Sequence, residues 1–142
     1  MNRRDSAVDS SKRLFGWMGA ALLLGIIPVK LVRFEHHAAM SLAIGVAPSL
    51  LGPAGLEFLL LSSTGRMTRF SLGQITLLVA VLSVTLEVVQ LLPRPGILAH
   101  VHYTYDSYDL AATLLSVVMA HAIAARILRP PRPAAGAERA KQ

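Results

Sequence analysis

Cysteine is absent from this sequence of 142 residues. A chain without cysteine has no disulfide bond, no thiolate metal ligand and no cysteine nucleophile. Charged residues are also scarce, because they make up 15% of the chain whereas hydrophobic residues make up 54%. Soluble domains contain about 25% charged and about 45–50% apolar residues. These proportions favour a membrane protein over a soluble one.

The net charge of +6 raises the alternative of a nucleic-acid-binding protein. The basic residues, however, lie at the two ends of the chain and in short segments between apolar blocks. Once these blocks are assigned to membrane helices, no soluble basic surface remains to contact phosphates. We therefore predict that the chain binds membrane lipids and no nucleic acid.

Four apolar blocks cover residues 14–32, 41–62, 72–92 and 109–128. A hydrocarbon core of about 30 Å requires about 20 helical residues, and each block is close to that length. The sequence predicts an all-α membrane protein, a bundle of four transmembrane helices with short loops over residues 14–128. Residues 1–13 are predicted to form a polar N-terminal tail. Residues 129–142 are predicted to form a disordered basic C-terminal tail.

The first block has a second interpretation as a cleaved signal peptide, since a basic start precedes an apolar run. The run is long, and no small-x-small cleavage site follows it. We therefore keep it as a span. The second block contains prolines and glycines, which spans tolerate, and we predict a kink there.

The distribution of basic residues predicts the orientation. With the N-terminus in the cytoplasm, two basic residues, Lys30 and Arg33, fall in the first external segment and one, Arg94, in the second. The cytoplasmic segments hold Arg3, Arg4, Lys12, Arg13, Arg66, Arg69, Arg126, Arg129 and Arg132. This positive-inside bias predicts both termini in the cytoplasm. The excess of arginine over lysine indicates a bacterial chain, and hence the bacterial cytoplasmic (inner) membrane.

Polar residues inside the spans are the candidates for function, since they are costly there. Glu87 and Gln90 are three residues apart near the external end of the third span, so they share a helix face. Glu87 is either part of a site or a structural residue that pairs with Lys30, Arg33 or Arg94.

At the start of the fourth span, Thr113 follows Asp109 by one helical turn. Asp106 or Asp109 has a simpler alternative role as an N-terminal cap of this helix. The predicted topology also brings Arg33, His36 and Arg94 to the same external face. The histidines at 36, 37, 100 and 102 match no metal-binding spacing, so we predict no metal and no cofactor.

Glu57 and His121 lie towards the cytoplasmic ends of the second and fourth spans. A proton path from Asp109 to His121 has no support beyond residue type, and we expect His121 to be packed and neutral. No Walker, Rossmann, zincin or nucleophile-elbow pattern is present, so we predict no catalytic residues.

The last two spans resemble the VanZ-like family of small membrane proteins. That family shows Glu-x-x-Gln near the end of one span, a loop arginine, and Asp-x-x-Ala-Asn followed by a glycine at the start of the last span. This sequence reads EVVQ at residues 87–90 and YDLAATLLS at residues 108–116. Arg33 and His36 stand where the family carries Lys-x-x-His. Thr113 replaces the family's asparagine and Ser116 its glycine, while Arg94 comes early in a longer loop.

The resemblance implies an envelope protein that influences glycopeptide susceptibility. We therefore expect a lipid-linked cell-wall intermediate, a glycopeptide or another amphiphile to bind at the outer leaflet. The expected ligand-binding residues are Glu87, Gln90, Asp109, Arg94, Arg33, His36 and Thr113. Two alternatives stay open: a structural or accessory subunit without its own ligand, and a small proton-coupled transporter, for which a carboxylate near the midplane is expected.

Overall fold

The computed structural model describes residues 3–35, 42–89 and 107–129 of the chain. Four α-helices account for nearly all of these residues: α1 (Arg3–Glu35), α2 (Leu42–Ser62), α3 (Leu72–Val89) and α4 (Ser107–Ile127). A short 3-10 helix, Gly65–Arg69, connects α2 to α3. The described ranges contain no strand, and each α-helix is long and apolar enough to cross a membrane. The predicted class, an all-α membrane protein with four spans, is confirmed.

The helix ends lie close to the predicted ends of the spans, with one difference at the N-terminus. Helix α1 begins at Arg3, so most of the polar segment predicted as a separate tail continues the first span as helix. Helix α3 ends at Val89. The predicted end of that span at 92 and the predicted tail after residue 129 fall outside the described residues.

The bundle has apolar side chains on its outside and polar side chains in its interior. Trp17 is 77% exposed, and Leu77 and Val118 are each 64% exposed. Glu57 and Thr113, by contrast, are fully or almost fully buried. This distribution suits a bundle surrounded by lipid, in which apolar surface is not driven inward and polar groups find partners between helices.

Helix α2 occupies the centre of the bundle and packs against α1, α3 and α4. We call the end at which α1 begins and α4 ends the proximal end, and the opposite end the distal end. Helix α2 runs antiparallel to α1 and α3 and parallel to α4, as its contacts with each of them require. Helix α4 meets its neighbours mainly through small residues, which allow close approach of helices in membranes.

The proximal half contains two apolar clusters. The first joins Phe15 of α1, Phe58 of α2 and two alanines of α4; the two phenylalanine rings stack with their centroids 5.8 Å apart. The second joins Ile75 and Val79 of α3 to Val117 of α4. Packing in these clusters sets the rotation of each helix about its axis, and hence the direction of its polar side chains.

Local signals fix the turn between α2 and α3. Gly65 adopts a φ of 77°, a left-handed conformation that glycine tolerates best. Ser71 then begins α3 with a capping box: the Gln74 backbone N–H donates to Ser71 Oγ, and the Ser71 N–H donates to Gln74 Oε1. The turn therefore fixes where the second span ends and where the third begins.

Candidate functional site

Polar side chains from three helices meet at the distal end of the bundle. Ser49 lies in the distal half of α2, Glu87 lies in the last turn of α3, and Asp109 and Thr113 lie in the first two turns of α4. Ser49 Oγ is 3.3 Å from Glu87 Oε1 and 3.3 Å from Asp109 Oδ1. Thr113 Oγ1 is also 3.3 Å from Glu87 Oε1. The two carboxylates thus approach a single pair of hydroxyl groups.

Among the residues that the structure describes, the hydroxyl groups leave much of the acceptor capacity of the carboxylates unused. The Ser49 hydroxyl carries one hydrogen and donates it to Glu87 or to Asp109, not to both at once. An ionised carboxylate accepts about four hydrogen bonds. The arrangement can therefore take up a further hydrogen-bond donor or a positive charge between Glu87 and Asp109.

These side chains line a cavity of about 410 Å³. Its polar lining consists of Lys30, Ser49, Ser83, Glu87, Asp109 and Thr113, and its apolar lining includes Leu23, Leu56 and Leu86. Ligand pockets have volumes of about 300–1,000 Å³ and combine apolar walls with a few convergent polar groups. The cavity has the size and lining of a small head-group site.

Pro53 in α2 explains the positions of Thr113 and Ser116. Proline has no backbone N–H, so the carbonyl of Ser49 lacks its usual partner four residues later. Thr113 Oγ1 lies 3.4 Å from that carbonyl and donates its one hydrogen either there or to Glu87 Oε1. Ser116 Oγ donates to the Leu50 carbonyl and accepts from the Ala54 N–H, so it joins the next pair of backbone groups. Hydroxyl groups of a neighbouring helix satisfy backbone groups around a proline in this way.

The structure brings Glu87, Asp109 and Thr113 together, as the sequence predicts. Gln90, Arg94 and His36 lie outside the described residues, and so do the other loop histidines and Asp106. Arg33 belongs to α1, but its side chain is not described. The described hydrogen bonds of Glu87 go to hydroxyl groups rather than to a basic side chain.

The sequence pattern did not identify Ser49 as part of the site. A serine next to Pro48 in an apolar span carries little signal by itself. Its position four residues before Pro53 is the available clue, since the prolines mark the stretch of α2 that needs polar partners. Lys30, predicted from the sequence as a possible partner of Glu87, lines the same cavity.

A second polar cluster lies in the proximal half, where Glu57 of α2, Thr76 of α3 and His121 of α4 meet. Thr76 Oγ1 is 2.7 Å from Glu57 Oε1 and 2.8 Å from His121 Nδ1. The expectation that His121 is packed agrees with its partly buried position. Its contact with Thr76, and through Thr76 with Glu57, was not foreseen.

Comparison with known proteins adds no relative: no family model, no curated protein and no solved structure matches this chain. The resemblance to the VanZ-like family therefore remains a prediction from the residues that carry it.

Proposed function

We propose that this chain is a VanZ-like membrane protein that binds the zwitterionic head group of an amphiphile in the distal cavity and thereby influences glycopeptide susceptibility. The observation that carries the proposal is the composition of the cavity. Among the described residues that line it, two carboxylates, Glu87 and Asp109, share the cavity with one lysine, Lys30. A head group that carries an amine and a phosphate has the complementary charges.

The carboxylates supply the selective part of the site. A protonated amine between Glu87 and Asp109 would form charge-assisted hydrogen bonds with both side chains. The Ser49 hydroxyl, at 3.3 Å from each, would stay available to either carboxylate. Lys30 would contact the phosphate, as basic residues between spans do for lipid head groups. The leucines of the cavity wall would contact the first carbons of the acyl chains.

A lipid-binding experiment tests this proposal directly. We expect the purified chain to retain phosphatidylethanolamine in preference to phosphatidylglycerol, as measured by native mass spectrometry of lipid titrations. Glu87→Gln and Asp109→Asn should each weaken phosphatidylethanolamine binding about tenfold or more, because each removes a charged acceptor. Thr85→Val is the matched control, since Thr85 is exposed on α3 and bonds only to its own helix.

Equal binding by wild type and by both variants would refute a head-group site. That outcome would favour the structural alternative. The hydrogen bonds of Glu87 to Ser49 and Thr113 support this alternative, because they connect α3 to α2 and α4. On that account Glu87→Gln would lower stability and leave lipid binding unchanged.

The effect on susceptibility needs a cell. In a Gram-positive host, which has no outer membrane to exclude teicoplanin, we expect expression of the wild type to raise tolerance. The variants Glu87→Gln and Asp109→Asn at matched membrane levels should lose that effect. Unchanged tolerance with the wild type, together with intact lipid binding, would refute the resistance role and keep the head-group site.

We also propose that the protein lies in the bacterial cytoplasmic membrane with both termini in the cytoplasm, so that the distal cavity opens to the outer leaflet. The positive-inside distribution supports this orientation. Since the chain has no cysteine, single cysteines can report it. A cysteine at Ala99 should react with an impermeant maleimide in intact cells, and cysteines at Ser63 and Ala137 should react only after lysis. Labelling at Ser63 in intact cells would reverse the orientation.

A further inference from the structure

The cluster of Glu57, Thr76 and His121 is separate from the distal cavity. Along α3, Thr76 lies seven residues, or about 10 Å, from Ser83 at the inner wall of that cavity. The buried side chains of Val79 and Val117 lie at the depth between them. The role of the proximal cluster is therefore separate from that of the head-group site.

Glu57 is the only ionisable residue of α2, and it is fully buried. Its Oε1 atom contacts Thr76, whereas its Oε2 atom is buried and has no hydrogen-bond partner among the described residues. A buried carboxylate with an oxygen left unpaired is strongly destabilising if it carries an uncompensated charge. A proton or a cationic partner has to compensate that charge.

The titratable group that reaches this position is His121. Its Nδ1 atom and Glu57 Oε1 both contact the one hydroxyl group of Thr76, at 2.8 Å and 2.7 Å. The other charged side chains described on α1 and α4 lie towards the two ends of the bundle. Asp9, Lys12, Arg13 and Arg126 lie towards the proximal end, and Lys30 and Asp109 line the distal cavity. Helix α3 contributes no charged residue at this depth, since Glu87 is at its distal end.

Two arrangements of hydrogen atoms satisfy this geometry and leave the cluster without a net charge. In the first, the Glu57 carboxylic acid donates from Oε1 to Thr76, and Thr76 donates to Nδ1 of a neutral His121 that carries its hydrogen on Nε2. In the second, Nδ1–H of the His121 imidazolium donates to Thr76, and Thr76 donates to the Glu57 carboxylate. Conversion breaks the Oε1–H bond as the Thr76 oxygen accepts that proton, and the original Thr76 hydrogen passes to Nδ1.

Both arrangements contain one shared proton and have a net charge of zero. With no shared proton the cluster would carry a charge of −1, and with two it would carry +1. Either charge would be enclosed in a low-dielectric interior without a partner. Thr76 Oγ1 also lies 2.9 Å from the Leu72 carbonyl oxygen, one turn earlier in α3.

We propose that Glu57, Thr76 and His121 form a proton-binding site inside the bundle, which holds one exchangeable proton and moves it between Glu57 and His121 through the Thr76 hydroxyl. The site is reached from the proximal end, because Glu57, Thr76 and His121 each lie within two turns of the proximal end of their helices. It is independent of the head-group function.

The number of protons in the cluster is measurable in the full chain in lipid nanodiscs. Infrared spectroscopy gives the fraction of Glu57 present as carboxylic acid, with Glu57→Gln identifying its band. Nitrogen NMR gives the fraction of His121 present as imidazolium, with His121→Asn identifying its signals among those of the five histidines. We expect the two fractions to add up to one at neutral pH. A sum near zero or near two would overturn the proposal.

Two variants test the connection between the residues. Glu57→Gln imitates the protonated carboxyl group, so His121 should become entirely neutral with its hydrogen on Nε2. His121→Asn should convert Glu57 fully to the carboxylic acid. Thr85→Val, on the lipid-facing side of α3, should change neither signal. An imidazolium that persists in Glu57→Gln, or a carboxylate that persists in His121→Asn, would show that the two groups titrate independently and would overturn the shared site.

Discussion

Replacement of Gly19 by alanine is expected to lower the free energy of unfolding by about 1–3 kcal/mol, because α1 and α2 have no room for a side chain at their crossing. A Cβ atom at residue 19 would lie 2.8 Å from the Gly55 carbonyl oxygen and 2.8 Å from the Leu59 backbone nitrogen. Neither is a flexible side chain. The two helices would have to move apart and lose the packing that holds them together in lipid.

Gly25→Ala is the matched control on the same helix. Its Cβ atom would meet only Leu51 Cδ1, at an ordinary 3.7 Å. We expect this variant to be unchanged or slightly more stable, because alanine favours a helix over glycine by up to about 1 kcal/mol. The measurement is reversible unfolding in mixed detergent micelles, followed by circular dichroism. Equal stabilities of Gly19→Ala and Gly25→Ala would contradict the close crossing.

The crossing also bears on what the sequence could and could not predict. The four spans followed from the lengths of the apolar blocks, since the thickness of the bilayer sets the length of a helix that crosses it. The same hydropathy does not say which face of a helix meets its neighbour, because lipid-facing and buried positions are both apolar. Gly19 and Gly55 mark the crossing, but small residues occur at many positions in spans, so these two glycines did not identify it from the sequence.

The polar residues predicted more of the contacts between helices than the apolar ones did, but some polar residues predicted them better than others. Glu87, Asp109 and Thr113 were predicted as one site, because each lies near the same end of its span and polar residues in spans pair with one another. Ser49 was not, because a serine is only weakly disfavoured in a span. Glu57 and His121 carried the same kind of signal as Glu87. Their pairing depends on Thr76 between them, and a threonine in an apolar helix does not reveal its partner.

A hydroxyl group of α4, that of Ser116, is expected to stabilise α2 beside Pro53. Ser116→Ala is expected to lower the free energy of unfolding by about 1–3 kcal/mol, because the Leu50 carbonyl and the Ala54 N–H lose a shared partner inside the membrane. Pro53→Ala should reduce that loss. Without the proline ring, which clashes with the carbonyl four residues earlier, α2 can close its own hydrogen bonds.

A double-mutant cycle measures this dependence. We expect Ser116→Ala to be less destabilising in the Pro53→Ala background than in the wild type by about 1 kcal/mol or more, a coupling typical of residues in one hydrogen-bond network. Thr85→Val should have the same effect in both backgrounds, since its hydroxyl bonds only to Val81 of its own helix. Additive effects of Pro53→Ala and Ser116→Ala would mean that the serine stabilises the bundle independently of the proline. The hydroxyl groups at 113 and 116 would then need another explanation than the backbone groups of α2 around Pro53. With coupling, they are structural requirements of α2. Thr113 then also contributes to the distal site, because the turn of α2 before Pro53 presents Ser49 to Glu87 and Asp109.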